Sequence, residues 1–255
     1  MRTSATLLLF GLLLVLSAQA QVPVAVVNAA SYQAKFPVAP GSWAAVFPVP
    51  GQSFVGVPTA TAAIPFPTIL SQTQVFVNEV AAPLWFVSSA QINFQVPRAT
   101  PVGKVPIRVV LNGQNVGTGN MDVGAAAPGI FVIDLLDPNQ PGAVVNADGN
   151  VNGPARRISR GGIIQVFGTG QGNALDAVVA DGQPANAEVH ITAPVKAYVS
   201  IEEAIIEYKG LAPTIPGDFQ INIRIPDKPY IKGQVPLFVE INGIVSNLVS
   251  FWVVD

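Results

Sequence analysis

The sequence nearly repeats itself, and this internal repeat constrains the fold more than any other feature. Residues 25–29 (AVVNA) return as residues 143–147, and residues 91–97 (QINFQVP) return as 220–226 (QINIRIP). The pair Asn112-Gly113 returns as Asn242-Gly243. The order of the repeated segments is unchanged, while their separation grows by about ten residues along the chain. The repeat therefore predicts one domain that was duplicated, with an insertion in the second copy.

The first twenty residues have the composition of a signal peptide. Arg2 precedes an apolar run from Leu7 to Leu16, and Ala18-Gln19-Ala20 gives a small-x-small pattern before Gln21. The run is shorter than the roughly 20 residues that a membrane span needs. We expect cleavage before Gln21 and an extracellular or periplasmic protein that does not span a membrane. An uncleaved membrane anchor is the alternative.

Composition excludes several classes of function. The chain has no cysteine, so it forms no disulfide, and only 11% of its residues are charged. It has no basic stripe, so no nucleic-acid partner is expected. A weakly charged surface often packs against another domain or subunit. The lack of cysteine in an exported protein favours a bacterial envelope.

Short alternating runs separated by glycine and proline predict strands. In 91–96 and in its repeat 220–225, apolar residues share one face and polar residues the other. The polar residues are Gln91, Asn93 and Gln95 in the first copy, and Gln220, Asn222 and Arg224 in the second. The next strand is expected to begin at Pro106 and Pro236. The Asn-Gly pairs predict type I′ hairpins, with return strands at 116–123 and 245–254.

These patterns predict about seven short strands in ~100 residues of each copy, which is typical of an immunoglobulin-like sandwich. The predicted fold class is all-β, with two tandem immunoglobulin-like β-sandwich domains from an internal duplication. The expected bounds are 1–20 for the signal peptide, 21–124 for the first domain, 125–142 for a short linker and 143–255 for the second domain. A closed barrel is the main alternative.

Several motifs in a fixed order resemble a known family. They are NAASY at 28–32, APGS at 39–42, FVS at 86–88 with QINFQVP at 91–97, AAPGIF at 126–131, DGNVN at 148–152, TGQG at 169–172 and GLAP at 210–213. Together they resemble the uncharacterised C-terminal domain family of Solibacter-type soil bacteria, over essentially the whole mature chain. The resemblance implies exported tandem IPT/TIG-like domains with no established activity, cofactor or catalytic residue. Family members usually carry other repeat modules upstream, which are not expected here.

The chain departs from that family at two turns. Phe47-Pro48 stands where Phe-Gly is usual, and Asn78-Glu79 stands where Asn-Gly is usual. Both departures put local turn geometry in question.

Catalytic and metal-binding arrangements are weakly supported by the sequence. His190 is the single histidine, so a catalytic triad has one candidate base and a histidine-based zinc site lacks ligands.

Residues 146–152 (NADGNVN) place oxygen side chains around a glycine, as calcium loops do, but hold one carboxylate; an Asx-rich turn is the alternative. Thr169-Gly170-Gln171-Gly172 lacks the lysine of a phosphate loop and is expected to be a turn. The acidic residues Asp134, Asp137, Glu202 and Glu203 lie in turns, where no facing pair is expected.

Two groups of residues remain as a possible contact face. Trp43 and Trp85 either pack inside the protein or form a platform for sugars. The duplicated pairs Gln91/Asn93 and Gln220/Asn222 either bond neighbouring backbone or line an exposed face. We therefore expect a non-enzymatic structural or adhesive interaction module without cofactor or metal, whose partner is an envelope protein or a polysaccharide. A carbohydrate-binding module that uses these aromatic and amide side chains is the alternative.

Overall fold

The computed structural model describes residues 22–54 and 56–254, and all regular structure in these ranges is β-strand. The predicted signal peptide lies outside the described residues. The strands of the first copy are β1 (Val22–Asn28), β2 (Trp43–Pro48), β3 (Thr59–Ala60), β4 (Thr73–Val77), β5 (Val80–Ala81), β6 (Leu84–Val87), β7 (Ile92–Gln95), β8 (Gly103–Leu111) and β9 (Gln114–Val123). No helix among the described residues is long and apolar enough to cross a membrane.

The strands of the second copy follow the same plan. They are β10 (Gly129–Ile130), β11 (Val144–Asn146), β12 (Ile163–Thr169), β13 (Val195–Val199), β14 (Glu202–Glu203), β15 (Ile205–Leu211), β16 (Asp218–Arg224), β17 (Gly233–Ile241), β18 (Ile244–Val245) and β19 (Val249–Val253).

Sheet topology shows the duplication in three dimensions. In the first copy, β2 pairs with β1 and β7, and β7 pairs with β6; in the second copy, β12 pairs with β11 and β16, and β16 pairs with β15. The remaining strands pair as β9-β8-β4-β5 and β19-β17-β13-β14, in corresponding orders. In the first copy, β1 also pairs in parallel with β9, which joins all nine strands in one sheet. The all-β, immunoglobulin-like fold class predicted from the repeat is confirmed.

Each copy has its own buried core. The first core contains Val46, Val75, Leu84, Phe94 and Val109 among others, and the second contains Val166, Ala197, Phe219, Leu237 and Phe251 among others. These residues come from the apolar faces that the strand alternation predicts. Within the expected linker, β10 pairs with β12 and so belongs to the second sheet system. The domain bounds themselves remain a prediction.

The predicted hairpins form with the expected geometry. Asn112-Gly113 and Asn242-Gly243 have positive φ at both residues, as a type I′ turn requires. Asn78 and Glu79 also have φ values of 47° and 63°. The departure from Asn-Gly at this turn therefore leaves the backbone conformation of the turn in place.

Two strand bounds differ from the prediction. β8 and β17 begin three residues before Pro106 and Pro236. β4 pairs with β8 from Ile107 onward, so Pro106 lies outside that ladder and need not donate a hydrogen bond to it. The last return strand is broken into β18 and β19, because the amide of Asn247 between them bonds Ile130 instead.

Candidate binding groove

A groove lined by residues of both copies lies where the two copies meet, and we call it the intercopy groove. It has a volume of about 570 Å³. Its aromatic lining consists of Tyr32, Trp43, Phe66, Trp85 and Phe131. The aliphatic and polar lining includes Ile64, Val132, Leu135, Ile215, Thr61, Asn93, Thr214 and Asp218.

Trp43 fixes one wall of the groove by joining the two copies. Its backbone N–H donates to Thr169 Oγ1 at 2.9 Å, and its indole Nε1–H donates to the carbonyl of Pro216 at 2.6 Å. The side chain is buried. Trp43 thus packs between the two copies, and its buried ring offers no open platform for a sugar.

Trp85 behaves differently because it lies near the edge of its sheet. It is 47% exposed, and its ring lies 6.1 Å from that of Trp43 at an angle of 60°. Phe66 contacts Trp43 edge-on at 5.3 Å. The three rings form an aromatic cluster that Trp43 anchors and Trp85 extends toward solvent.

Asp218 is a functional candidate that the sequence analysis missed. It begins β16, lines the groove and is only 4% exposed. Its Oδ1 is buried and has no hydrogen-bond partner in the part of the chain that the structure describes. Burial raises the pKa of this carboxyl well above its ordinary range, and the adjacent Trp43 indole opposes the rise. The sequence held one sign of this site. Asp218 has no acidic counterpart in the first copy, because Ser89 occupies the equivalent position there.

The duplicated amide pairs make the same bond in both copies. Gln91 Nε2 donates to Asn93 Oδ1 at 2.6 Å, and Gln220 Nε2 donates to Asn222 Oδ1 at 2.9 Å. Gln91 also donates to the hydroxyl of Tyr32. Asn93 is buried, and the second pair lines a separate hollow beside Tyr208. The structure therefore brings Asn93, Trp43 and Trp85 to one groove and leaves Gln220 and Asn222 at another place.

Gln95 shows most clearly that the polar face of β7 is not an open surface. The side chain is fully buried; its Nε2 donates to the carbonyl of Gly41, and its Oε1 accepts from the N–H of Gly182 in the second copy. An exposed contact face at Asn93 and Gln95 is thus wrong, because the second copy covers this strand. Arg224, the counterpart of Gln95, is exposed and pairs with Glu207.

The segment between β12 and β13 supplies much of this cover. Gly182 accepts from the N–H of Phe66, and Asn173 Nδ2 donates to the carbonyl of Arg98. The carboxylate of Asp181 accepts from the backbone N–H of Arg98 at 3.1 and 3.2 Å. Burial raises the pKa of Asp181, while the contacts with Arg98 lower it. These contacts hold the segment between β12 and β13 against the first copy at one end of the groove.

The other sequence candidates lie outside the groove. His190 Nδ1 lies 2.9 Å from Asp176 Oδ2 and its Nε2 lies 3.5 Å from Glu188 Oε1, and all three side chains are substantially exposed. The hydrogen bonds from the backbone of His190 and from its ring to Asp176 lower the pKa of that carboxyl. Sequence reasoning missed this pair because Asp176 lies 14 residues before His190, in a segment that forms no regular strand.

The loop at 146–152 matches the Asx-turn interpretation. Asn146 Nδ2 donates to the carbonyl of Arg156, and Asn152 Nδ2 donates to Asn146 Oδ1. Asn152 also bonds the backbone of Trp252 in both directions. The amides are therefore used to tie the loop to the last strand.

The glycine-rich and acidic segments also form turns. Gly170 and Gly172 have φ values of +99° and +74°, and a Cβ at either would lie within 2 Å of a backbone oxygen of residues 125–127. Asp134 and Asp137 accept from backbone N–H groups two residues further on. Glu202 accepts from the Tyr230 hydroxyl.

A family model for the IPT/TIG domain matches residues 51–123. This match supports an IPT/TIG-like domain of the immunoglobulin-like class in that part of the first copy. The finer resemblance to the Solibacter-type family stays a prediction. A search of the curated proteins found no match.

Solved structures give distant likenesses. A β-glycosidase from Bacteroides vulgatus is 14% identical, with 92% of this chain and 25% of that chain covered and a TM-score of 0.23. SGBP-B of the Bacteroides ovatus mixed-linkage glucan utilization locus, in complex with a mixed-linkage heptasaccharide, is 11% identical, with 89% and 46% covered and a TM-score of 0.32. Domains 5–6 of the S-layer protein SbsC are 18% identical, with 91% and 96% covered and a TM-score of 0.29. The chain spans less than half the length of the first two, and no conclusion about function follows from TM-scores this low.

Proposed function

We propose that this chain is an exported, non-catalytic interaction module that binds a protein partner in the intercopy groove. The proposal is based on a cluster of large apolar side chains that line the groove and are partly exposed to solvent. Ile64, Trp85, Leu135 and Ile215 all line the groove and are each about half exposed, at 51%, 47%, 50% and 47%. Contiguous exposed apolar surface of this kind typically marks a site of protein contact.

The non-catalytic part of the proposal is supported by how the polar groups are used. The groove lining holds one carboxyl group, whereas glycoside hydrolysis needs two that face each other. His190 and its acidic neighbours lie outside the groove, and the acidic residues of the turns cap backbone N–H groups. Export rests on the composition of the first twenty residues.

The test is a photo-crosslinking experiment with the mature chain. A benzophenone amino acid at position 215 should crosslink to a reproducible partner from the extracellular material of the native host. Trp85→Ser should abolish the crosslink, because it removes the exposed ring from the groove. Ile201→Ser is the matched control, since Ile201 is exposed and does not line the groove. Crosslinking that survives Trp85→Ser contradicts the proposal.

A carbohydrate-binding module is the second candidate, and the exposed indole of Trp85 favours it. Phe86, next to Trp85, pairs with Asn93 across the sheet, so an aromatic ring and an amide come from neighbouring strands. Binding of the mature chain to a polysaccharide panel, lost in Trp85→Ser, would favour this candidate. No binding at millimolar concentrations would remove it.

A further inference from the structure

A second hollow lies on the second copy, and we call it the β16 hollow. It shares no lining residue with the intercopy groove. Its volume is about 550 Å³, within the range of roughly 300–1,000 Å³ that is typical of small-molecule sites. Its walls come from β15, β16 and the segment between β12 and β13. The lining residues with hydrogen-bonding side chains are Asn186, Glu188, Tyr208, Gln220 and Asn222, and the others are Ala185, Ala187, Leu211 and Pro213.

The amide pair of β16 is tied together and keeps two free hydrogen-bonding groups. Alternation along the strand places Gln220 and Asn222 on the same face, opposite to the buried Ile221. Gln220 Nε2 donates to Asn222 Oδ1 at 2.9 Å. Among the described residues, Gln220 Oε1 and Asn222 Nδ2 have no hydrogen-bond partner. The pair therefore presents one acceptor and one donor to the hollow in a fixed arrangement.

The equivalent pair in the first copy is less available. Asn93 is buried, and Gln91 Nε2 also donates to the hydroxyl of Tyr32 at 3.1 Å. Gln220 and Asn222 are both half-buried, so a ligand in the hollow can reach them. The duplication thus produced two amide pairs, of which the second is open to a ligand.

Tyr208 supplies an ordered aromatic wall beside the amide pair. It lies directly opposite Asn222 in the ladder of β15 and β16. Its hydroxyl donates to the carbonyl of Leu211 at 3.3 Å, and its ring lies 5.6 Å from that of His190. Burial and the nearby carboxylates raise the pKa of the phenol, so the ring stays uncharged. The hollow therefore combines an apolar surface with polar groups.

These groups together match a neutral sugar. Each hydroxyl group of a pyranose can donate and accept, so neighbouring hydroxyls can use both the donor and the acceptor of the amide pair. The carboxylate of Glu188 accepts from a further hydroxyl, and the ring of Tyr208 packs against the carbon-bound hydrogens of the sugar. No lysine or arginine is among the described residues that line the hollow, so an anion such as phosphate would lack a counter-charge there.

We propose that the β16 hollow binds a neutral pyranose unit of an extracellular glycan. Sugar hydroxyls donate to Gln220 Oε1 and to Glu188 and accept from Asn222 Nδ2, while the ring packs against Tyr208. The site is separate from the intercopy groove, so it stands whether or not the groove binds a protein partner.

The probes are the methyl β-pyranosides of glucose, galactose, mannose and N-acetylglucosamine. Each is titrated at millimolar concentrations into the isotope-labelled mature chain. NMR spectra follow the side-chain amide signals of Gln220 and Asn222, which report on the site directly. At least one pyranoside should shift both signals in a saturable way. Absence of a saturable shift with all of these sugars overturns the inference.

Asn222→Asp is the variant that isolates the free donor, because it keeps the oxygen that Gln220 bonds and removes Nδ2. It should weaken binding of the pyranoside about ten-fold or more. Asn120→Asp is the matched control, since Asn120 is exposed on β9 and does not line the hollow, and its affinity should equal that of the wild type. Equal affinities of wild type and Asn222→Asp overturn the inference.

Tyr208→Ala is the second variant and should also lose the binding, because it removes the aromatic wall. Thermal unfolding curves of both variants show that the loss does not come from unfolding. A sugar affinity that Tyr208→Ala leaves at the wild-type level contradicts the inference.

Trp85→Ser separates this site from a sugar site in the groove, since Trp85 lines only the groove. Sugar binding that is lost in Asn222→Asp and kept in Trp85→Ser supports the β16 hollow. Sugar binding that is kept in Asn222→Asp and lost in Trp85→Ser overturns the inference and favours the carbohydrate-binding groove.

Discussion

The protonation of a single groove residue, Asp218, affects the stability of the whole chain. In the unfolded chain its carboxyl group has a pKa of about 3.9. In the folded protein burial raises that pKa, so the folded state holds the proton to a higher pH. The stabilising effect of this proton is complete below about pH 4 and is lost as the pH rises through the folded-state pKa.

The first prediction concerns Asp218→Asn, which removes this titration. In the pH range where only the folded state is protonated, the free energy of unfolding of the wild type should fall by about 1.4 kcal/mol per pH unit relative to the variant. Urea denaturation of both proteins between about pH 5 and pH 8 measures the difference. Parallel pH profiles would contradict the prediction.

Asp148→Asn is the matched control for Asp218→Asn. Asp148 is exposed, and hydrogen bonds from Asn150 lower the pKa of its carboxyl. The stabilisation from the ionised Asp148 carboxyl is therefore present above its ordinary pKa and is lost only as the pH falls through the lowered pKa. Over the same range, the variant and the wild type should show the same pH dependence.

Among the elements, the turn at 169–172 depends on glycine for two separate reasons. Gly172 has a positive φ, and a Cβ there would lie 1.9 Å from the carbonyl oxygen of Ala125. Gly149 has nearly the same φ, at +80°, with no atom within 4 Å of such a Cβ. Substitutions at the two positions therefore separate the cost of backbone strain from the cost of a clash with the segment before β10.

The second prediction follows from that comparison. Gly149→Ala should lower the free energy of unfolding by about 1–2 kcal/mol, which is the cost of a left-handed conformation for alanine. Gly172→Ala should cost at least about 2 kcal/mol more, because the backbone of residues 125–127 must move. Urea denaturation measures both, and equal losses would show that the close approach has no role.

The third prediction concerns Asn247, which lies between β18 and β19. Its side chain bonds the backbone of β10, as a neighbouring strand would. Its amide bonds both the N–H and the carbonyl of Ile130, at 2.8 and 3.0 Å. Asn247→Ala should cost about 2–4 kcal/mol, because two buried backbone groups lose their partner. Asn139→Ala, which removes an exposed amide bonded to Asp137, should cost less than about 1 kcal/mol. Equal thermal shifts in the two variants would argue against this account.

Sequence patterns predicted the elements well because their causes are local. Alternation places Ile92 and Phe94 in the core, and Asn-Gly pairs set the hairpins at Asn112 and Asn242. The break at Asn247 was missed, since its partner Ile130 lies 117 residues away in the chain. The strand pattern also gave no sign that β7 is buried on both faces.

At the scale of the whole molecule, the two copies are joined by groups that the repeat does not share. Gln95 bonds Gly182, Trp43 bonds Pro216, and Arg98 bonds Asp181. Two of these partners, Gly182 and Asp181, lie in the segment between β12 and β13. The groove is therefore a product of what differs between the copies, which explains why the duplicated Gln-x-Asn pairs predicted its position only in part.

The last prediction tests whether Gln95 holds the two copies together. Gln95→Ala leaves the N–H of Gly182 and the carbonyl of Gly41 without their partner, so it should lower the free energy of unfolding by about 2–5 kcal/mol. Its counterpart Arg224 makes an exposed ion pair with Glu207, so Arg224→Ala should cost less than about 1 kcal/mol.

Hydrogen–deuterium exchange then locates the effect within the molecule. In Gln95→Ala the amides of Phe66 and Gly182 should lose protection, because they lie where the segment between β12 and β13 meets the first copy. Amides in the core of the second copy, such as that of Ile221, should keep theirs in the native state. Unchanged protection at Phe66 and Gly182 would show that the contacts of Trp43 and Arg98 hold the copies together without Gln95. A loss at these sites with the core intact would place Gln95 at the joint on which the shape of the groove depends.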